Sequence, residues 1–227
     1  MYEWIHNGGK MGNRIEVKNL SKTIEDVNII KNVTLDLQEG KIYGFVGKNG
    51  SGKTMFFRLL AGLIKPSEGE ILYNGTATEF GRGIPISMGV LIENAGMYPE
   101  FSGFENLKLL ASIKKKIDDT QIRKTIERVG LNPKDKRKIK KYSLGMKQRI
   151  TLAQAIMEEP ELLLLDEPTN ALDADGVEQI RQIIKEEKER GAIICLASHN
   201  AEDIDVLCDE IYYVQNGRIE KKECDTE

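Results

Sequence analysis

One glycine-rich segment limits this chain more than any other. Gly47-Lys-Asn-Gly-Ser-Gly-Lys53-Thr54 follows the short apolar run Ile42–Val46 and leads into the helix-like stretch Lys53–Ala61. Glycines let the backbone fold tightly, so that successive N–H groups point at one anion, and the start of a helix adds its positive dipole end there. The spacing G-x-x-x-x-G-K-T is a phosphate cradle, in which Lys53 reaches the outer phosphates and the Thr54 hydroxyl suits Mg²⁺. The candidate nucleotide-binding residues are therefore Gly47, Asn49, Gly50, Ser51, Gly52, Lys53 and Thr54. A glycine turn without a ligand is the plain alternative. The pattern alone does not separate an ATPase from a GTPase or a small-molecule kinase.

Around this segment the chain alternates strand and helix patterns. Ile15, Val17 and Leu20, then Val33, Leu35 and Leu37, show the period-two alternation of half-buried strands. Glu70–Tyr73 closes on Asn74-Gly75, and Met88–Ile92 is a further apolar run. From Ser102 to Glu159 the pattern turns helical, with Ile122, Ile126 and Val129 at helical spacing before Gly130. After Pro160 the rhythm resumes: strand Leu162–Leu165, helix Asp173–Arg190, strand Ala192–Ala197, helix Ala201–Cys208 and strand Ile211–Val214 before Asn216-Gly217. Such alternation predicts an α/β fold with a mainly parallel sheet covered on both faces, a small antiparallel β region, and an inserted helical subdomain. The expected division is a core at 14–93 and 153–227, a helical subdomain at about 94–152, and a leader at 1–13 outside the fold.

The run Leu162–Leu165 delivers Asp166 and Glu167 to the carboxyl end of a strand, where α/β sheets bind ligands. Adjacent residues on an extended segment point apart, so Asp166 is expected to serve Mg²⁺ and Glu167 to polarise water as a general base. An acidic strand end before a proline turn is the alternative.

These segments, together with Tyr142-Ser143-Leu144-Gly145-Met146 and Ser198-His199, resemble the ATP-binding cassette (ABC) family, the motor subunits of ABC transporters, from about Arg14 to Glu220. The resemblance implies a P-loop NTPase core of the RecA-like kind, ATP and Mg²⁺ as cofactors, and ATP hydrolysis with Glu167, His199 and Lys53 as the catalytic group. It places Ser143, Leu144, Gly145 and Met146 at the signature, usually LSGGQ, which serves the ATP of the opposite subunit. The match there is partial, since only Ser143 and Gly145 are kept. Asp173 matches the acid of the loop that couples two cassettes, and it equally suits a helix N-cap. Each chain holds one phosphate loop and one signature, so the resemblance implies an ATP-dependent homodimer, or a heterodimer with a similar cassette.

Two positions depart from the family pattern. Glu93 stands where the family usually has a Gln that contacts Mg²⁺ and links to the membrane subunit; Glu can still ligate metal. The run from Ile92 to Leu107, with the signature SLGMKQR, is similar to the cassettes of bacitracin-resistance and lantibiotic-immunity exporters. Ile24 falls where the family stacks an aromatic on adenine, so packing against the base is kept and stacking is lost.

Composition narrows the partners. The net charge is −3, which argues against a general nucleic-acid binder, and Lys134–Lys141 is the one basic cue, by default a solvated surface. No apolar run approaches the ~18 residues of a membrane span, so separate transmembrane permease subunits are expected, with this chain cytoplasmic and peripheral on the inner face of the membrane. Cys195, Cys208 and Cys224 are scattered and odd in number, as in a reducing compartment. A soluble ABC-type ATPase acting on nucleic acid or ribosomes is the second functional class, and a P-loop kinase the third. The short stretch from Met55 to Tyr142 leaves no room for the long coiled coil of DNA-repair relatives. Export of a peptide antibiotic, or of another drug or lipid, is what the resemblance implies about cargo.

Overall fold

A computed structural model describes residues 12–78, 80–81, 83–92 and 96–222. Two sheets organise them. β1 (Arg14–Ile24), β2 (Val27–Gln38), β4 (Glu68–Tyr73) and β5 (Thr76–Ala77) form an antiparallel sheet in the order β2-β1-β4-β5. β3 (Ile42–Val46), β6 (Met88–Leu91), β7 (Leu162–Asp166), β8 (Ile193–Ala197), β9 (Glu210–Gln215) and β10 (Arg218–Lys221) form the second, in the order β10-β9-β3-β8-β7-β6. All its pairings are parallel except β9 with β10. Among the described residues three α-helices lie between β6 and β7 in the chain: α2 (Gly103–Lys114), α3 (Asp119–Arg128) and α4 (Leu144–Ile156). The expected α/β architecture, with its parallel sheet, antiparallel region and inserted helices, is the one observed.

The inner strands show why their sequences carry unbroken apolar runs. In β3, β7 and β8 one set of alternate residues, Ile42, Leu163, Leu165, Ile194 and Leu196, packs into a core with α4 and α5 (Ala174–Glu189). The other set, Tyr43, Phe45, Leu162, Leu164, Ile193 and Cys195, packs beneath the antiparallel sheet with α1 (Lys53–Leu60). A strand buried on both faces has no use for a polar side chain. Phe45 anchors the second core: its ring lies 5.2 Å from Phe56, 5.5 Å from Phe57 in an edge-on contact, and 5.5 Å from Tyr212. Tyr73 seals the top of α1 by donating its hydroxyl to the Leu60 carbonyl.

Local signals set most boundaries. Ser102 and Glu105 form a reciprocal capping box at the start of α2, satisfying N–H groups that a bare helix end leaves exposed. Asn19 and Asn32 take positive φ at irregularities of the β1–β2 pairing, a conformation that Asn tolerates. The predicted helix Asp173–Arg190 runs from Ala174 to Glu189, with Asp173 and Arg190 as its caps. β5 and β10 were not expected. Each is short, and β10 has one apolar residue, Ile219; pairing with β4 and β9 makes them strands rather than any pattern of their own. The basic run is a loop ending in a 3-10 turn at Ile139–Lys141, where Ile139 is buried while Lys138 and Lys140 pair with Glu100.

α4 approaches β6 so closely that a Cβ added at Gly89 would fall on the Ala155 carbonyl oxygen. Gly89→Ala is expected to destabilise the fold by about 2 kcal/mol, the cost of forcing an atom into a packed core. An unchanged urea midpoint would show that α4 is free to move off the sheet.

Candidate functional site

The loop after β3 is shaped by what it touches. Gly52 caps α1 with φ 116°, and a Cβ there would press on Ile30 and the Ile29 carbonyl. Gly47 lies against the Val214 carbonyl of β9, so a side chain would collide with the neighbouring strand. Asn49, Gly50, Gly52, Lys53 and Thr54 line a cleft of about 620 Å³, while Gly47 and Ser51 line a separate hollow against β9. Lys53 is buried to 7% exposure, and its ammonium donates to the Gly47 carbonyl at 2.6 Å and the Lys48 carbonyl at 3.2 Å. A cation held by loop carbonyls at the start of a helix can exchange them for phosphate oxygens.

The second wall comes from β7. The Thr54 hydroxyl donates to Asp166 Oδ2 at 2.7 Å, joining the first turn of α1 to the end of β7. A hydroxyl and a carboxylate meeting at one point are hard oxygen donors of the kind Mg²⁺ takes. Among the described residues no group of three or more His, Cys, Asp or Glu is arranged to hold a metal. Mg²⁺ here would complete its shell with phosphate and water, as it does in nucleotide sites. Glu93 lies outside the described residues.

Glu167 turns away from the strand. Its N–H extends the ladder by one bond to the Ala197 carbonyl at 2.8 Å, and its backbone then takes φ 52°. Its carboxylate meets the end of β8: Glu167 Oε2 is 2.7 Å from His199 Nδ1 and accepts the His199 N–H at 3.3 Å. This pairing assigns the ring proton to Nδ1 and leaves Nε2 for a ligand. Lys53, Thr54, Asp166 and Glu167 thus converge on one cleft, with His199 attached to it through Glu167.

Ile24 does not line that cleft. It sits at the tip of the β1–β2 hairpin opposite Val27, 41% exposed, because the Glu25-Asp26 turn carries the chain outward. Ile29, on the returning strand, lines the cleft instead. The signature residues divide. Ser143 caps α4 by accepting the Met146 N–H at 3.2 Å, and Leu144 stands at the rim of the cleft, 67% exposed. Gly145 abuts the Ala171 carbonyl, leaving 3.0 Å for a Cβ, and Met146 packs against the core beneath Arg137. Burial pushes the phenol of the adjoining Tyr142 above its usual range.

Gln148 was missed. Its side-chain amide donates to the Glu167 carbonyl at 2.8 Å and the Pro168 carbonyl at 3.0 Å, pinning the turn that aims Glu167. Its place four residues after Leu144, on the same helix face, was the available signal.

Asp173 caps α5, accepting the Gly176 N–H at 3.1 Å, while its side chain is 82% exposed and 3.9 Å from Arg149. A cap uses one oxygen, so this geometry is compatible with both roles expected of it.

Comparisons with known proteins agree with these features. The family model described as "ABC transporter" matches residues 30–170. The ABC transporter ATP-binding protein YybJ of Bacillus subtilis (strain 168) is 47% identical, over 92% of this chain and 96% of that protein. The bacitracin transport ATP-binding protein BcrA of Enterococcus faecalis is 38% identical, over 90% of this chain and 67% of that protein. Among solved structures, the dimeric structure of MJ0796, a bacterial ABC transporter cassette, superposes with a TM-score of 0.83 at 25% identity, covering 92% of this chain and 97% of that one.

Asp173→Ala is expected to cost about 1 kcal/mol of stability through the lost cap, and Asp173→Asn to cost little, since Asn caps equally well. Equal losses for the two variants in urea unfolding would mean that Asp173 does not contribute as a cap.

Proposed function

The chain belongs to the ABC transporter family as an ATP-binding subunit that hydrolyses ATP, and from that premise we propose that it is the motor of an exporter, closing as a dimer on ATP and reopening after hydrolysis. The observation that carries this reading is the convergence of Lys53, Thr54, Asp166 and Glu167 on one cleft at the ends of β3 and β7.

The chemistry follows from the geometry. Loop N–H groups and the start of α1 bind the phosphates, and Lys53 trades its carbonyl partners for phosphate oxygens. Thr54 and Asp166 would hold Mg²⁺, which would neutralise charge on the phosphates. Glu167 accepts the proton of the attacking water, and the bond from the terminal phosphorus to the bridging oxygen breaks to give ADP and phosphate. His199 orients Glu167 through Nδ1 and presents Nε2 to the phosphate. The base lies toward the β1–β2 hairpin, against aliphatic Ile29, with Ile24 outside the cleft at the hairpin tip.

The likeness of Ser143, Leu144, Gly145 and Met146 to the family signature supports their serving the ATP of a partner subunit, with Leu144 also at the rim of this chain's own cleft. The likeness to the dimeric cassette MJ0796 supports assembly as a dimer. Among the described residues no helix is long and apolar enough to cross a membrane. Membership of the transporter family supports separate transmembrane subunits as the pathway for cargo, with this chain at the cytoplasmic face. Similarity to a bacitracin transport protein favours a peptide antibiotic as cargo.

Glu167→Gln keeps the shape of the site and removes the base. It is expected to bind ATP, to lose about 100-fold or more in kcat, and to accumulate as a dimer in MgATP by light scattering. A variant that stays monomeric at saturating MgATP counts against closure as a dimer. The same variant, tagged and recovered from mildly solubilised native membranes with MgATP, is expected to bring down a multi-span membrane protein. Recovery of ribosomal or nucleic-acid proteins without any membrane protein would favour the soluble class instead.

A further inference from the structure

Behind the site lies a buried charge that the chemistry described so far does not use. Asp203, in α6 (Ala201–Leu207), is 0% exposed. Its Oδ1 receives Arg181 of α5, with Nε at 2.8 Å and Nη2 at 2.7 Å, and Arg181 is itself only 5% exposed. Its Oδ2 accepts the Thr169 hydroxyl at 2.5 Å and the Ser198 hydroxyl at 3.3 Å. Thr169 stands two residues after Glu167, and Ser198 immediately before His199. One carboxylate therefore ties the segment leaving β7 to the segment leaving β8.

We propose that Asp203, held by Arg181, is a positioning residue that sets the separation of Glu167 and His199 through the hydroxyls of Thr169 and Ser198. This inference rests on the catalytic roles proposed above for that pair. The two side chains meet at 2.7 Å, although they come from separate strand ends 32 residues apart in sequence. Glu167 sits at positive φ with its side chain 23% exposed, and His199 is 68% exposed, so the histidine is not fixed by burial of its own side chain. Hydrogen bonds to a buried, charged acceptor are the stronger kind and fix geometry well. The Ser198 hydroxyl also accepts the Asn200 N–H at 3.1 Å, so it orders both flanks of His199. Arg181 further reaches exposed Glu202 at 3.0 Å, so the buried guanidinium is held between Glu202 and Oδ1 of Asp203, and Oδ2 is left for the two hydroxyls. A pair serving only to fasten α5 to α6 would need neither hydroxyl.

The test uses the full chain. Thr169→Val removes one tie and keeps the side chain's shape; Thr169→Ser restores the hydroxyl; Asp203→Asn removes the charge. Thr169→Val is expected to lower kcat about 10-fold while KM for ATP and the Kd for Mg-free ADP stay within about 2-fold, because the phosphate loop is untouched. Thr169→Ser should recover most of the turnover. In a His199→Ala background Thr169→Val should cost little more, since a positioning residue acts through the pair it positions. Faster amide exchange at His199 and Asn170 in Thr169→Val would mark the loosened segments without reference to activity. Unchanged kcat in Thr169→Val, or losses that simply add to those of His199→Ala, would overturn the proposal. Should Asp203→Asn fail to fold, the Thr169 series still decides. If Glu167→Gln and His199→Ala themselves keep full turnover, the proposed catalytic pair fails; if they lose it while Thr169→Val does not, only the positioning role fails.

Discussion

The strand Leu162–Asp166 is the constraint on which the rest of the site depends. Its four leucines are fully buried, two on each face, between β6 and β8, so the strand has no freedom to slide or turn over. A one-residue slip would put every side chain on the wrong face. Because the strand is fixed, its first polar residue is fixed as well. Asp166 comes out where Thr54 can reach it, and Glu167 comes out one bond further along the β8 edge.

The proposed catalytic geometry is accordingly built from strand ends rather than from flexible arms. β3 presents the phosphate loop, β7 the two carboxylates and β8 the histidine, all at the carboxyl edge of one parallel sheet. The glycines of the loop are there because strand β9 and the β1–β2 hairpin press on its back: Gly47 against the Val214 carbonyl and Gly52 against that of Ile29. Those contacts leave the opposite side of the loop to the cleft. Ligand shape thus follows from sheet packing, which is the usual way an α/β fold hosts phosphate chemistry.

Polar groups behind the site are arranged to hold its turns. Gln148 fastens the Glu167 and Pro168 carbonyls from α4, and the Arg181–Asp203 pair fastens Thr169 and Ser198 from the far side. A positive-φ turn at Glu167 between two such attachments is costly to form and hard to relax. α4 carries both Gln148 and the proposed signature residues, so any movement of α4 is passed to the turn that carries Glu167, the proposed general base.

Much of this was written in local pattern. The phosphate loop, the apolar runs of β3, β7 and β8, the capped helices and the order of the motifs depend on neighbours within a few residues, and the sequence by itself determined them. β10 was illegible because its strand character comes from pairing with β9 rather than from its one half-buried isoleucine. The contact of His199 with Glu167, the place of Ile29 rather than Ile24 at the cleft, and the meeting of Arg181, Asp203 and Thr169 were decided only by tertiary structure. Each joins groups whose separation in the chain says nothing of their separation in space, which the packing of sheet and helices sets. Periodicity tells which face of an element is buried; it does not tell which buried or rim residue of another element will stand opposite.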